Sequence, residues 1–230
     1  MLIFISSIAA ILLIFLIYAS YSIRSGIYLK ALCRNEKKGK VVALTFDDGP
    51  DKEQTPKILD ILKEYDVKAT FFCIGSKIKG NESILSRMKE EGHLIGNHTF
   101  NHFFSFPLYT SQRMKAELND CEKAIEEVTG ERTILFRPPF GITNPTVAKV
   151  VRTMGCLTIG WSIRSLDTCK KENTVLKRIK RGLKPGAVIL LHDSLPMSDS
   201  LLLKVLELLK ENDYTIQRVD KLFDIPKTTK

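Results

Sequence analysis

Seven short apolar runs, at 41–46, 69–74, 94–97, 133–137, 157–162, 187–192 and 215–219, alternate with longer stretches whose apolar residues recur three and four positions apart. The runs are rich in Val, Ile, Leu and Phe and read as strands. The stretches between them read as amphipathic helices. In TPKILDILKEYD, Ile58, Ile61, Leu62 and Tyr65 share one helical face, with Pro56 in the first turn. NESILSRMKEEG offers Asn81 as a cap and stops at Gly92, TSQRMKAELNDCEKAIEEVTG stops at Gly130, and SLLLKVLELLKEND carries the last long helix. Strands joined through helices run parallel, so the alternation predicts an α/β fold with a sheet that is open or closed into a barrel. With 230 residues, 44% of them hydrophobic, the chain has material for one core, and it contains no internal repeat or low-complexity tract.

Parallel sheets gather reactive side chains at the carboxyl ends of their strands, which gives the alternation a functional consequence. Asp47 and Asp48 end the first run, His98 and His102 follow the third, and Arg137 ends the fourth. Asp167 follows the fifth and His192 ends the sixth. All of these residues are expected on one rim.

TFDDGP sets two like charges side by side directly after a buried strand. A turn accounts for Gly49 and Pro50 but not for the pair of acids. HTFNH spaces His98 and His102 four apart, so that on a helical turn both imidazoles would face one ion. Alone, that spacing is a weak signal, but Asp48 completes a set of two histidines and one carboxylate with positions open for water, as a catalytic metal needs. A divalent cation there neutralises Asp48, and Asp47 can remain ionised beside it as a general base. In RPPFG the two prolines stiffen the segment after a strand, holding Arg137 to orient Asp47 and the Phe140 backbone N–H to receive an oxyanion. His192, at the end of VILLHDS, is the candidate general acid for a leaving amine, with Asp167 of WSIRSLDT as its carboxylate partner. Trp161, Ile189 and Leu191 are assigned to an apolar floor for a small acyl methyl group.

In this order TFDDGP, HTFNH, RPPFG, WSIRSLD and LLHD resemble the five motifs of the polysaccharide deacetylase family, carbohydrate esterase family four, with its NodB homology domain. The resemblance covers the chain from about Val41 to the last helix. It implies a distorted (β/α) barrel of seven strands and a metal-dependent hydrolase that removes N- or O-acetyl groups from sugars. Position by position it implies Asp47 as base, Asp48, His98 and His102 as metal ligands, Arg137 as the group steadying the base, and Asp167 as the carboxylate tuning the acid His192. Zinc is the expected metal, and cobalt, nickel or manganese would suit the same ligands. The expected substrate is an N-acetylglucosamine-containing glycan, peptidoglycan or chitin-like. Three positions depart from the family pattern: Arg164 stands where many members carry aspartate, Thr168 where many carry tryptophan, and Phe140 where tyrosine is frequent. The first two alter the groove wall.

The N-terminus is of another kind. No charged side chain occurs before Arg24. As a helix, 1–23 would be roughly 34 Å long, against about 30 Å for a hydrocarbon core, and the stretch lacks the basic start and small-residue cleavage site of a signal peptide. The expected organisation is a retained lipid-bilayer anchor at 1–23, a basic juxtamembrane linker at 24–40 and a monomeric catalytic domain at 41–230. Six basic side chains and one acid lie between 24 and 40, about half of the net charge of +9. By the positive-inside rule they place the domain in the cytoplasm, whereas deacetylation of a cell-wall glycan places it outside; the two expectations conflict. No dense basic patch or recognition motif points to nucleic acid. The odd count of five cysteines, with no C-x-x-C, points to neither a disulfide framework nor a cysteine metal site.

Three other readings fit part of the pattern. A non-haem iron oxygenase also uses two histidines and a carboxylate, but on an antiparallel jelly roll. A glycan-binding module derived from an inactive enzyme would have lost Asp47, His192 or a ligand, and none is missing. An O-acetyl esterase, or an amidase for a small substrate, would keep them all.

Overall fold

β1 (Val41–Asp47) is the axis of the sheet and is buried on both faces after its first residue. Burial on both faces is why its sequence is continuously apolar rather than alternating. It pairs in parallel with β2 (Thr70–Cys73) on one side and with β7 (Ala187–His192) on the other. β3 (Leu94–Asn97), β4 (Leu135–Phe136) and β5 (Leu157–Thr158) extend the sheet beyond β2, and β6 (Ile163–Arg164) extends it beyond β7. β8 (Thr215–Ile216) lies in parallel against the first two residues of β1. The computed structural model describes residues 2–226, so Met1, at the head of the expected anchor, and 227–230, at the end of the expected domain, lie outside the described residues.

The sheet separates two apolar layers. Val42, Leu44 and Phe46 of β1 and Ile189 and Leu191 of β7 face α2 (Gln54–Glu64), α3 (Glu82–Glu90), α6 (Glu172–Gly182) and α7 (Ser198–Glu211). Ala43, Val188 and Leu190 face the concave side with Phe72, Ile159 and Trp161. A third cluster joins α4 (Ser111–Thr129) and α5 (Pro145–Met154) through Met114, Leu118, Val147 and Val151. Both helices begin on side-chain caps, Thr110 accepting from Arg113 N and Asn144 from Val147 N, and end on left-handed Gly130 and Gly155. Asn81 does not cap α3 through its side chain, which instead donates to the Lys77 carbonyl.

Two expectations about the sheet are corrected. The run at 157–162 divides, with β5 ending at Thr158 and β6 starting at Ile163, because the Arg137 side chain takes the carbonyls of Ile159 (3.0 Å) and Gly160 (2.9 Å) that a longer strand would have used. The seven-stranded barrel is in fact a parallel-sheet half-barrel: the sheet order runs β5-β4-β3-β2-β1-β7-β6, and its two ends do not pair with one another. The N-terminal segment lies along that opening. Leu32 bridges Ile159 in parallel and Arg34 bridges Ala187 antiparallel, while Ile23 and Leu29 enter the core.

α1 (Leu2–Tyr21) precedes this segment. Thr143 of the domain holds its C-terminal end, the N–H donating to Ser20 O and the hydroxyl to Ala19 O, which also accepts from Ser25 Oγ. Among the described residues no helix is long and apolar enough to cross a membrane, so the bilayer-spanning role expected for 1–23 is unsupported.

Candidate active site

The turn after β1 carries both acids. Asp48 adopts φ 73°, a left-handed conformation that turns its side chain away from the strand direction. The turn is held by Lys77 Nζ on the Asp48 carbonyl (2.7 Å) and by Ile74 N–H on the Gly49 carbonyl (2.8 Å). Gly49 is required by space: a Cβ there would lie 2.2 Å from Asp193 Oδ2. Asp193, directly after His192, is itself buried, and its Oδ2 accepts from Thr55 Oγ1 at 2.6 Å. Burial, opposed by that hydroxyl, pushes the Asp193 carboxyl up to about 7.

His98 and His102 are brought together, though not by a helix. They sit on the loop after β3, where Thr99 (φ 66°) and His102 (φ 53°) are left-handed. Asn97 and Glu117 hold this loop. The Asn97 side chain accepts from Thr99 N and donates to Leu118 O, and the Glu117 carboxylate accepts from the Phe100 and Asn101 backbone N–H groups and from the Asn101 side chain. Neither residue stands out in the sequence; the one available signal is a glutamate at a core-facing position of α4.

Asp48 Oδ1 lies 3.4 Å from Nε2 of both histidines. The three ligand atoms lie within 4.8 Å of one another. His98 Nδ1 is 2.7 Å from the Arg137 carbonyl, which can only accept, so that nitrogen carries the proton and Nε2 presents its lone pair to Asp48. Burial, and then the neighbouring His98, push His102 down to about 4, leaving it neutral at pH 7. Asp48 Oδ1 is buried without a hydrogen-bond partner. Burial acts to raise the Asp48 carboxyl, but the surrounding imidazoles, His98 foremost and then His102 and His192, hold it well below the usual carboxylate range. An orphaned carboxylate oxygen facing two imidazole nitrogens fits a divalent cation.

Asp47 and His192 flank this cluster in adjacent strands, where they are register partners. Asp47 Oδ1 accepts from Arg137 Nη1 at 2.6 Å. Arg137 has no exposed surface, and its remaining donors reach Thr45 Oγ1 and the carbonyls of Ile159 and Gly160. Asp167 grips His192 twice, with Oδ1 2.8 Å from Nδ1 and Oδ2 accepting the backbone N–H at 2.8 Å. Burial works to lower His192, but the bond to Asp167, its charge and those of Asp47 and Asp48 raise the imidazole to about 9.

Phe140 lies in the loop after β4 at φ 58°, a strained setting for a bulky side chain, with its ring 4.9 Å from that of His102. Beneath it Gly141 packs on Trp161, where a Cβ would lie 2.4 Å from the indole. The floor expected from Ile189 and Leu191 is corrected: both sit in the helix-facing layer. Side chains alternate along a strand, so it is Leu190, beside Trp161, that shares the concave face with His192. His93, the remaining histidine, is buried at the opposite end of β3, accepting from Ala69 N at 3.1 Å.

Residues 34–159 match the family model described as polysaccharide deacetylase. The chain belongs to the polysaccharide deacetylase family. It is 36% identical over 191 residues to the peptidoglycan-N-acetylglucosamine deacetylase PgdA of Listeria monocytogenes serotype 1/2a (strain 10403S), which covers 81% of this chain but only 40% of that protein. It is 33% identical to the peptidoglycan-N-acetylmuramic acid deacetylase PdaA of Bacillus subtilis (strain 168), over 80% of this chain and 72% of that one. Among solved structures, the Bc1960 peptidoglycan N-acetylglucosamine deacetylase superposes with a TM-score of 0.80 at 31% identity, over 86% of this chain and 94% of that chain. The polysaccharide deacetylase fold thus accounts for the half-barrel and for all five motifs lining one rim.

Proposed function

We propose that this domain hydrolyses N-acetyl groups of N-acetylglucosamine units in peptidoglycan, releasing acetate and a free amine. The observation that carries the reading is the placement of one orphaned carboxylate oxygen against two imidazoles, with an Arg-held acid on one side and an Asp-held histidine on the other. Asp48, His98 and His102 would hold the metal, for which zinc is our choice. Bound there, a divalent cation supplies a Lewis acid that polarises the acetyl carbonyl and acidifies water. Asp47, steadied by Arg137, takes the proton of the attacking water. The Phe140 N–H, the first amide donor after two prolines, stabilises the developing oxyanion. His192 in its protonated form delivers a proton to the departing nitrogen, and Asp167 keeps it charged. Leu190 and Trp161 give the acetyl methyl an apolar wall.

Peptidoglycan lies outside the cytoplasmic membrane, and the same reading places the domain there. In it, α1 attaches the domain to the lipid bilayer; from Ser6 to Tyr18 its side chains are exposed and mostly apolar. Acetate release from N-acetylglucosamine oligomers and from peptidoglycan, with and without a chelator, tests the activity. We expect release that chelation abolishes and zinc restores. No release from either substrate, or release indifferent to the chelator, would refute it.

The Asp167–His192 pair makes a separate prediction. A group raised to about 9 is protonated below that pH, so general-acid capacity is present at neutral pH and is lost as pH rises through 9. Asp167→Asn removes the charge that raises the imidazole. The alkaline fall of kcat/KM should then move to lower pH, with the acid limb in place. An unshifted alkaline limb would remove Asp167 from this role.

A further inference from the structure

An aromatic ledge leads outward from the metal cluster. The ring of Phe104 meets that of Phe140 edge-on at 5.3 Å, and Phe140 in turn meets His102 at 4.9 Å. Phe140 is 37% exposed and Phe104 is 77% exposed, a large apolar area to leave in water. The exposure is not looseness of the loop. Two residues on, Phe106 is buried against Tyr109 with rings 5.9 Å apart, and its N–H donates to Phe103 O. Pro107 is fastened to the next loop by Asn144 Nδ2 on its carbonyl, at 2.6 Å. Phe104 is therefore held rigidly facing solvent, one ring beyond the group that flanks the ligand histidine.

We propose that Phe104 is a sugar-stacking residue: it receives the apolar C–H face of the pyranose next to the unit being deacetylated. This rests on the deacetylase reading for the identity of the substrate. The occupant follows from continuity, because a glycan whose acetamido group reaches His102 must pass over Phe140, and its neighbouring ring then meets Phe104. A pyranose presents axial C–H groups to a π face and its hydroxyls to water, matching an apolar ring that is 77% exposed. Pre-positioning by the Phe106 anchor means little ordering is lost when the sugar lands.

Isothermal titration of an N-acetylglucosamine tetramer into the full chain, measured alongside acetate release, tests this. Phe104→Ala should weaken tetramer binding about tenfold and Phe104→Trp should restore it. Leu108→Ser, at an 87% exposed position of the same loop, should leave it unchanged. Equal tetramer affinity in the wild type and Phe104→Ala would overturn the proposal, as would absence of measurable binding to the wild type. So would a Phe104→Ala chain that loses affinity for phosphatidylglycerol vesicles while keeping that for the tetramer, since the ledge would then serve a lipid surface. Tetramer binding that depends on Phe104, without acetate release by the wild type, would uphold the ledge and refute the deacetylase reading.

Discussion

Asp47→Asn should leave metal affinity within a few-fold of the wild type and lower acetate release by about a thousandfold. The geometry separates the two acids. Asp48 presents an unpartnered oxygen to two imidazoles, whereas Asp47 gives Oδ1 to Arg137 and stands 3.8 Å from His98 Nε2 through Oδ2. An asparagine keeps the shape and still accepts from Arg137 through its carbonyl, but its nitrogen has no lone pair with which to take a proton from water. A competition titration with a zinc chelator and an acetate assay on the same preparation check both halves. Residual turnover above a tenth of the wild-type rate would remove Asp47 as the base, and loss of metal affinity would move it among the ligands.

That both acids of TFDDGP belong to a site was legible, because a buried strand ending in adjacent carboxylates has few structural explanations. HTFNH was legible as two imidazoles facing one point, though not for the reason its spacing suggests. Spacing by four suggested a helical turn, and the chain reaches the same juxtaposition with left-handed Thr99 and His102. Such backbone costs are of order 1–3 kcal/mol each and are sustained by partners distant in sequence, here Asn97 and Glu117. No local pattern announces them. Left-handed residues also recur at Asp48, Phe140 and Leu166, so five of the nine described non-glycine residues with positive φ lie around the site, where propensity reasoning is weakest.

The strands that carry the rim were found from their apolar runs, and 94–97 and 187–192 coincide with β3 and β7. What failed was facing. On a strand buried on both sides every residue is apolar, so alternation is invisible, and nothing in the run separates Ile189 and Leu191, which face the helices, from Leu190. Anchoring the period on His192 would have selected Leu190. The split at 159–162 was hidden for a different reason: a side chain, Arg137, takes the carbonyls of Ile159 and Gly160, and sequence periodicity does not register such tertiary competition.

Arg137→Met should produce the other large effect, this time on stability. The guanidinium is wholly buried, 4.1 Å from the Phe72 ring, with donors on Asp47, Thr45 and two carbonyls. Burial lowers its pKa and the Asp47 carboxylate opposes that shift, so each charge is tolerable because of the other. Removing the cation strands a buried carboxylate and two carbonyls, a loss of about 3–5 kcal/mol and roughly 10 °C in Tm for the metal-free chain. Removing both partners in Arg137→Met/Asp47→Leu should recover most of that loss while leaving no activity. Thermal melts of the wild type, both single variants and the double variant close the cycle. If the double variant is as unstable as Arg137→Met, the pair is a packing element. If it recovers, the ion pair contributes little net stability, and holding Asp47 toward the substrate is what keeps a fully buried arginine in this fold.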